Sequence, residues 1–156
     1  MALTLRDVYE SDLAVFFQHQ QDPVANYMAA FTAEDPSDHQ AFLDHWSRIL
    51  ADDSTLTQSI SFDGAVVGHV ATFEQFGERE ITYWVDRAYW NQGIATAALR
   101  QFLPRIATRP LYARAAKDNI ASRRVLEKCG FVITGEGSGY ANARGQDTEE
   151  FIFTLV

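Results

Sequence analysis

Only one cysteine, Cys129, occurs in the 156 residues, so no disulfide can form within the chain. A lone thiol fits a reducing compartment, and the expectation is a cytoplasmic protein held together by packing. Proline is scarce, at four residues, and no Gly/Ser/Pro-rich stretch marks a linker. No apolar run reaches the ~20 residues that cross a bilayer. The opening MALTLRDVYESD lacks the basic segment and apolar core of a signal peptide, so no membrane partner is expected. Positive charge is also short, with 13 Lys+Arg against 21 Asp+Glu and a net charge of −8. Nucleic-acid binders carry a basic face because phosphate contacts supply most of their affinity, so no nucleic-acid partner is expected. The four histidines, His19, His39, His45 and His69, are scattered without ligand spacing, which gives no metal site.

What is present suits a single domain over residues 1–156. The hydrophobic fraction is 47%, the globular average, and a chain of 17.6 kDa can bury a sizeable core. LTLRDV alternates like a short strand. Ser11 reads as the N-cap of a helix that Asp22-Pro23 stops, and VANYMAAF forms a brief second helix. Asp35-Pro36-Ser37 opens a third, with Phe42, Trp46, Ile49 and Leu50 on one face. LTQSISF and AVVGHVATFEQF flank Asp63-Gly64, a two-residue hairpin turn, and Phe76-Gly77-Glu78 turns into the strand EITYWV. A helix, the strand LYARAA, another helix, the strand FVITGE, a glycine-rich loop and the strand TEEFIFTLV complete the chain. The fold class expected is α/β (α+β), a mixed central sheet of about seven strands with helices on both faces.

Chemistry concentrates where the strand EITYWV ends. A turn of small residues covers Asn91 to Ala95, and a helix begins at about Ile94. The first turn of a helix has free backbone N–H groups and a partial positive charge. Gly93 and Ala95 let an anion approach that backbone closely. No Walker Lys-Ser/Thr follows, and the three spaced glycines of the dinucleotide fingerprint are absent. Further on, Asn119 stands where LYARAA gives way to a helix, Ser122 lies one turn later, and Gly130 closes that helix as a left-handed cap.

These two segments, Tyr89 to Thr96 and Asn119 to Phe131, resemble the GNAT superfamily of acetyltransferases. The nearest branch is that of the ribosomal-protein N-terminal acetyltransferases, with its Tyr-Trp-x-x-Gly-Ile-Ala-Thr and Asn-x-x-Ser-x-Arg-Val-Leu-Glu-Lys-x-Gly-Phe patterns. The match is strong over roughly residues 60 to 135. The resemblance implies the GNAT fold, acetyl-coenzyme A as co-substrate and a primary amine as acceptor, either a protein N-terminal α-amine or a small molecule. It implies that the backbone of Asn91, Gln92, Gly93, Ile94, Ala95 and Thr96 holds the pyrophosphate. Tyr83 to Val85 would bond the pantetheine arm through the main chain, and Asn119 would bond it from the other side. Trp90 stands where the wider superfamily has Gln or Arg.

For the reaction, the amine must lose a proton, the tetrahedral oxyanion needs donors, and the thiolate needs help to leave. Backbone amides near Trp84 and Val85 are the oxyanion donors expected. Glu80 is the candidate base, through water, unless it merely pairs with Arg79 or Arg87; Glu74 is the alternative. The superfamily's usual tyrosine acid falls at Leu126, which cannot donate. Ser122 matches this branch's serine and would orient the sulfur or carry its proton. Tyr140 is a candidate for lining the acceptor pocket. A homodimer remains open, as does a rival function: a non-catalytic acyl-coenzyme A-binding sensor or assembly module.

Overall fold

The computed structural model describes residues 2–156. Strand β1 (Leu3–Asp7) is followed by helices α1 (Asp12–Gln20), α2 (Pro23–Ala29) and α3 (His39–Ala51). The meander β2 (Leu56–Phe62), β3 (Ala65–Gln75) and β4 (Glu78–Val85) comes next. Then α4 (Ile94–Phe102), β5 (Leu111–Ala116), α5 (Ile120–Lys128), β6 (Val132–Ala141) and β7 (Gln146–Leu155) complete the order. All seven strands join one sheet in the order β1-β2-β3-β4-β5-β7-β6. Only β4 and β5 run parallel; every other neighbouring pair is antiparallel.

The hairpin turns follow from local chemistry. Asp63 and Gly64 have φ of 49° and 85°, and Phe76 and Gly77 have 53° and 76°. Two successive positive φ values make the turn whose twist matches a β-ribbon. Asp22-Pro23 stops α1 and also starts α2, because the Asp22 carboxylate accepts from the amides of Val24 and Ala25 while proline occupies the first turn.

Two apolar layers cover the sheet. On one face, Ile94, Ala98, Leu99 and Phe102 of α4 and Leu126 of α5 pack on Val67, Ile81, Val85, Leu111, Ala113 and Phe153. Each large side chain buried there contributes roughly 1.5–3 kcal/mol. On the other face, Phe16 of α1 and Phe42 and Trp46 of α3 form a second cluster. The His69 ring lies 4.7 Å from Phe16 and 5.0 Å from Trp46.

Four local expectations need correction. Ser11 occupies the N-cap of α1 but makes no side-chain cap; the Asp12 carboxylate accepts from the Tyr9 amide instead. Asp38, not Asp35, caps α3. Leu50 is 48% exposed rather than on the buried face of α3. The glycine-rich segment is largely strand: β6 runs through Gly135, Gly137 and Gly139 and pairs with β7 as far as Ala141. Side chains of Ile152, Glu150 and Phe31 lie over those glycines at 3.6, 3.4 and 3.8 Å from where a Cβ would stand. A neighbouring strand and these side chains thus supply the packing that glycine lacks.

Candidate active site

The parallel pair β4–β5 makes a single registered pairing, Glu80 with Tyr112, and then the strands part. A cleft of about 780 Å³ opens between Ile81–Val85 on one side and Ala113–Ala116 on the other. It continues to the start of α4 and along the first turns of α5. Peptide groups alternate sides along a strand. The Asp86 amide bonds the Val67 carbonyl of β3, so the Val85 and Tyr83 amides face the cleft and the Trp84 amide faces β3. Trp84 is among the residues that line the cleft, but its indole Nε1 is shut from water without a partner among the described residues. Trp90 closes the floor by donating Nε1–H to the Val85 carbonyl at 2.8 Å.

At the cleft's far end Gly93 is the N-cap of α4 with φ 77°, a left-handed conformation suited to glycine, and no side chain caps the helix. The first intrahelical bond is Ala97 amide to Gly93 carbonyl. The amides of Ile94, Ala95 and Thr96 therefore have no intrahelical acceptor. A Cβ on Gly93 would meet no atom within 4 Å, so space lies in front of them. Free amides, a helix start and open volume fit a diphosphate. Asn91, with φ 63°, turns the chain into this cradle, and the Gln92 amide side chain folds back on the Ala88 carbonyl.

Asn119 sits on the opposite wall. Its Oδ1 caps α5 at the Ser122 amide, 3.1 Å away, and its Nδ2 donates to the Met28 carbonyl at 3.2 Å, tying α5 to the end of α2. Ser122 Oγ lies 2.8 Å from the Tyr83 hydroxyl, which crosses from β4 to α5. Burial pushes the Tyr83 phenol up to about 12, with the Ser122 hydrogen bond opposing it. Cys129 is half-buried beside the Thr96 carbonyl, and burial raises its thiol above the usual range, which suits an inert core thiol. Leu126 is buried in the core.

Glu80 is placed differently from either sequence reading of its partners. Arg79 donates to the Ser54 carbonyl and Arg87 pairs with Asp22. Glu80 is 3% exposed and accepts from Arg114 Nε at 3.2 Å, while Arg114 Nη1 reaches Glu150 at 2.7 Å. Burial raises the Glu80 carboxyl, with Arg114 pulling the other way. Arg114 lines the cleft and Glu80 stands behind it. Glu74 is exposed, and its cross-strand partner Arg79 puts it on the opposite face of the sheet from Glu80. Tyr140 is 62% exposed and outside the cleft lining. A smaller hollow of about 220 Å³ between α3 and β2, lined by Asp7, Val8, Ile49 and Leu50 among others, brings no reactive groups together.

Sequence reading missed Arg114, Glu150 and the Tyr83–Ser122 contact. Alternation along β4 groups Tyr83 with Ile81 and Val85, but nothing local reveals which helix lies opposite.

Splayed parallel strands running into an uncapped, glycine-led helix define an acyl-coenzyme A-dependent transferase. Residues 2–132 match the family described as acetyltransferase (GNAT) domain. The chain belongs to that family and is an N-acetyltransferase. It is 28% identical over 137 residues to the Bacillus subtilis (strain 168) protein named "Putative ribosomal N-acetyltransferase YdaF", covering 81% of this chain and 75% of that one. Among solved structures, Mycobacterium smegmatis RimJ in complex with CoA-disulfide superposes with a TM-score of 0.82 at 22% identity, over 98% of this chain and 81% of that one. Spermidine N-acetyltransferase from Vibrio cholerae, in complex with CoA and spermine, gives 0.77 at 18% identity over 97% and 95%. At those identities the two structures speak to the fold.

Proposed function

We propose that this chain transfers the acetyl group of acetyl-coenzyme A directly to the α-amine of a protein N-terminus. The observation that carries the reading is the cleft itself: strands that part after one pairing and open onto the bare amides after Gly93. In this reading the pyrophosphate rests on the backbone of Asn91 to Thr96. The pantetheine arm runs along β4 at Trp84 and Val85, with Asn119 across from it. The Val85 amide, which faces the cleft, is the donor for the developing oxyanion.

The amine attacks the carbonyl carbon, the N–C bond forms, the C–S bond breaks, and the electron pair leaves on sulfur. Glu80 accepts the amine's proton through water from behind Arg114, and its raised pKa makes it a better base than an ordinary carboxylate. Ser122 faces the leaving sulfur. Support for a protein acceptor comes from the name carried by YdaF, which points to a ribosomal acceptor.

The deciding experiment presents purified protein and acetyl-coenzyme A with peptides of free N-terminus, polyamines and free amino acids, and reads thiol release. Peptides turned over best support the proposal. A polyamine preferred over every peptide replaces the acceptor, and no turnover with any amine overturns the reading.

A further inference from the structure

Ser122 poses a chemical difficulty in the mechanism above, because a serine hydroxyl is a poor acid. A leaving thiol has a pKa of about 8.5, so the thiolate is stable enough to depart with its charge if a hydrogen bond receives it. The requirement is then a hydroxyl whose hydrogen points at sulfur and nowhere else. An isolated serine in the first turn of a helix does not meet it, since its rotor is free and nearby carbonyls compete for the hydrogen.

We propose that Tyr83 is a positioning residue for acetyl transfer: it donates its hydroxyl hydrogen to Ser122 Oγ and so aims the Ser122 hydrogen into the cleft at the leaving sulfur. The inference rests on the reading of the site given above. It follows from the direction of one hydrogen bond. The two oxygens are 2.8 Å apart, and each is the other's only side-chain partner among the described residues. A phenol is a better donor and a poorer acceptor than an alkanol, so the tyrosine donates and the serine accepts. Titration agrees, because a phenol pushed up to about 12 keeps its proton at every working pH. With its lone pair engaged, Ser122 has its own hydrogen left over. Ser122 and Tyr83 both line the cleft, so that hydrogen has the donor's sulfur available to it. Accepting one hydrogen bond also polarises the hydroxyl and strengthens the one it gives.

The arrangement accounts for Leu126. One turn beyond Ser122, that position is 1% exposed and packed in the core, so α5 itself brings no phenol to the cleft. The phenol comes from β4 instead and reaches the sulfur through the serine. Proton balance is kept without an alkoxide or a tyrosinate. The N–C bond forms, the C–S bond breaks, and the amine's proton leaves through water toward Glu80. Sulfur takes its proton from water after departure, and Ser122 and Tyr83 end as they began.

The test is a kinetic cycle on Tyr83→Phe, Ser122→Ala and the double variant, with melting temperatures recorded. Tyr83→Phe should lower kcat about tenfold with KM for acetyl-coenzyme A unchanged, and the double variant should be no slower than Ser122→Ala alone. A Tyr83→Phe kcat within twofold of wild type overturns the proposal, as do losses that simply multiply in the double variant. If Tyr83→Phe fails to fold, Ser122→Ala answers by spectroscopy. Removing the acceptor should shift the near-ultraviolet absorption of tyrosine, and an unchanged spectrum overturns the pairing. A wild-type protein inactive toward every amine refutes the site reading instead, a result distinct from an active enzyme indifferent to Tyr83→Phe.

Discussion

Gly68→Ala should damage acetyl-coenzyme A binding more than it damages the fold. Gly68 lies on β3 opposite Val85, and a Cβ there would stand 2.0 Å from the Trp84 carbonyl oxygen and 3.1 Å from Val85 Cα. A carbon–oxygen contact settles at about 3.3 Å or more, so the backbones must separate by roughly 1.3 Å. On the far side of β4 the neighbouring strand has already parted, since β4 and β5 register only at Glu80–Tyr112. The displaced stretch therefore moves into the cleft, where resistance is least. Overpacking of this kind costs about 1–3 kcal/mol, or roughly 2–4 °C of Tm per kcal/mol in a domain this size. A shift near 1 Å in a group that positions substrate costs on the order of 100-fold in kcat/KM. Calorimetric titration with acetyl-coenzyme A, thiol-release kinetics and thermal melts give the three numbers. Gly64→Ala is the control: it is strained by its φ of 85° but lies outside the cleft lining, so it should lose stability alone. A folded Gly68→Ala protein with wild-type affinity and kcat/KM would refute the placement of β4 as the wall that grips the donor.

Gly93→Ala should cost about 1 kcal/mol of stability, because a Cβ there meets open space and only the left-handed φ is strained. Its affinity for acetyl-coenzyme A should nevertheless fall about tenfold, since the new methyl stands at the anion cradle; isothermal titration beside a denaturant melt separates the two effects. Burial raises the Glu80 pKa, so Glu80→Gln should depress kcat most near neutral pH, where the carboxylate is ionised and the amine still carries a proton, and the two rates should converge as pH falls; a pH–rate profile parallel to wild type would remove Glu80 from that role. His69 should erode acid stability: burial lowers its pKa from 6.5 to about 3, so between those values the unfolded chain binds a proton that the folded chain refuses. Stability from this group is complete above about pH 6.5 and falls with decreasing pH, by about 2–3 kcal/mol at pH 4.5. Urea melts at pH 7 and 4.5 should show that drop in wild type and a smaller one in His69→Gln; equal drops would acquit His69.

Local sequence set the order of elements and pointed to the stretch after Gly93 as the candidate donor site. Asp63-Gly64 and Phe76-Gly77 set their turns by local φ, and Gly93 starts α4 in a left-handed conformation with no side-chain cap, because these are properties of neighbours in the chain. Periodicity also placed Phe42 and Trp46 on the buried face of α3, though not Leu50. Only the tertiary structure decided the rest. The glycines of β6 read locally as loop, but β7 supplies the hydrogen bonds and the side chains of Glu150, Ile152 and Phe31 supply the packing, so they form a strand. Glu80 found its charge partner not on its own strand but on β5, through Arg114, which is 34 residues away. Tyr83 met Ser122 across 39 residues because β4 and α5 face one another over the cleft. Spacing along a chain encodes turns, caps and periodic faces. Which charge neutralises which, and which hydroxyl aims another, depends on strand order and on the face each helix covers, and those are settled only when the whole sheet closes.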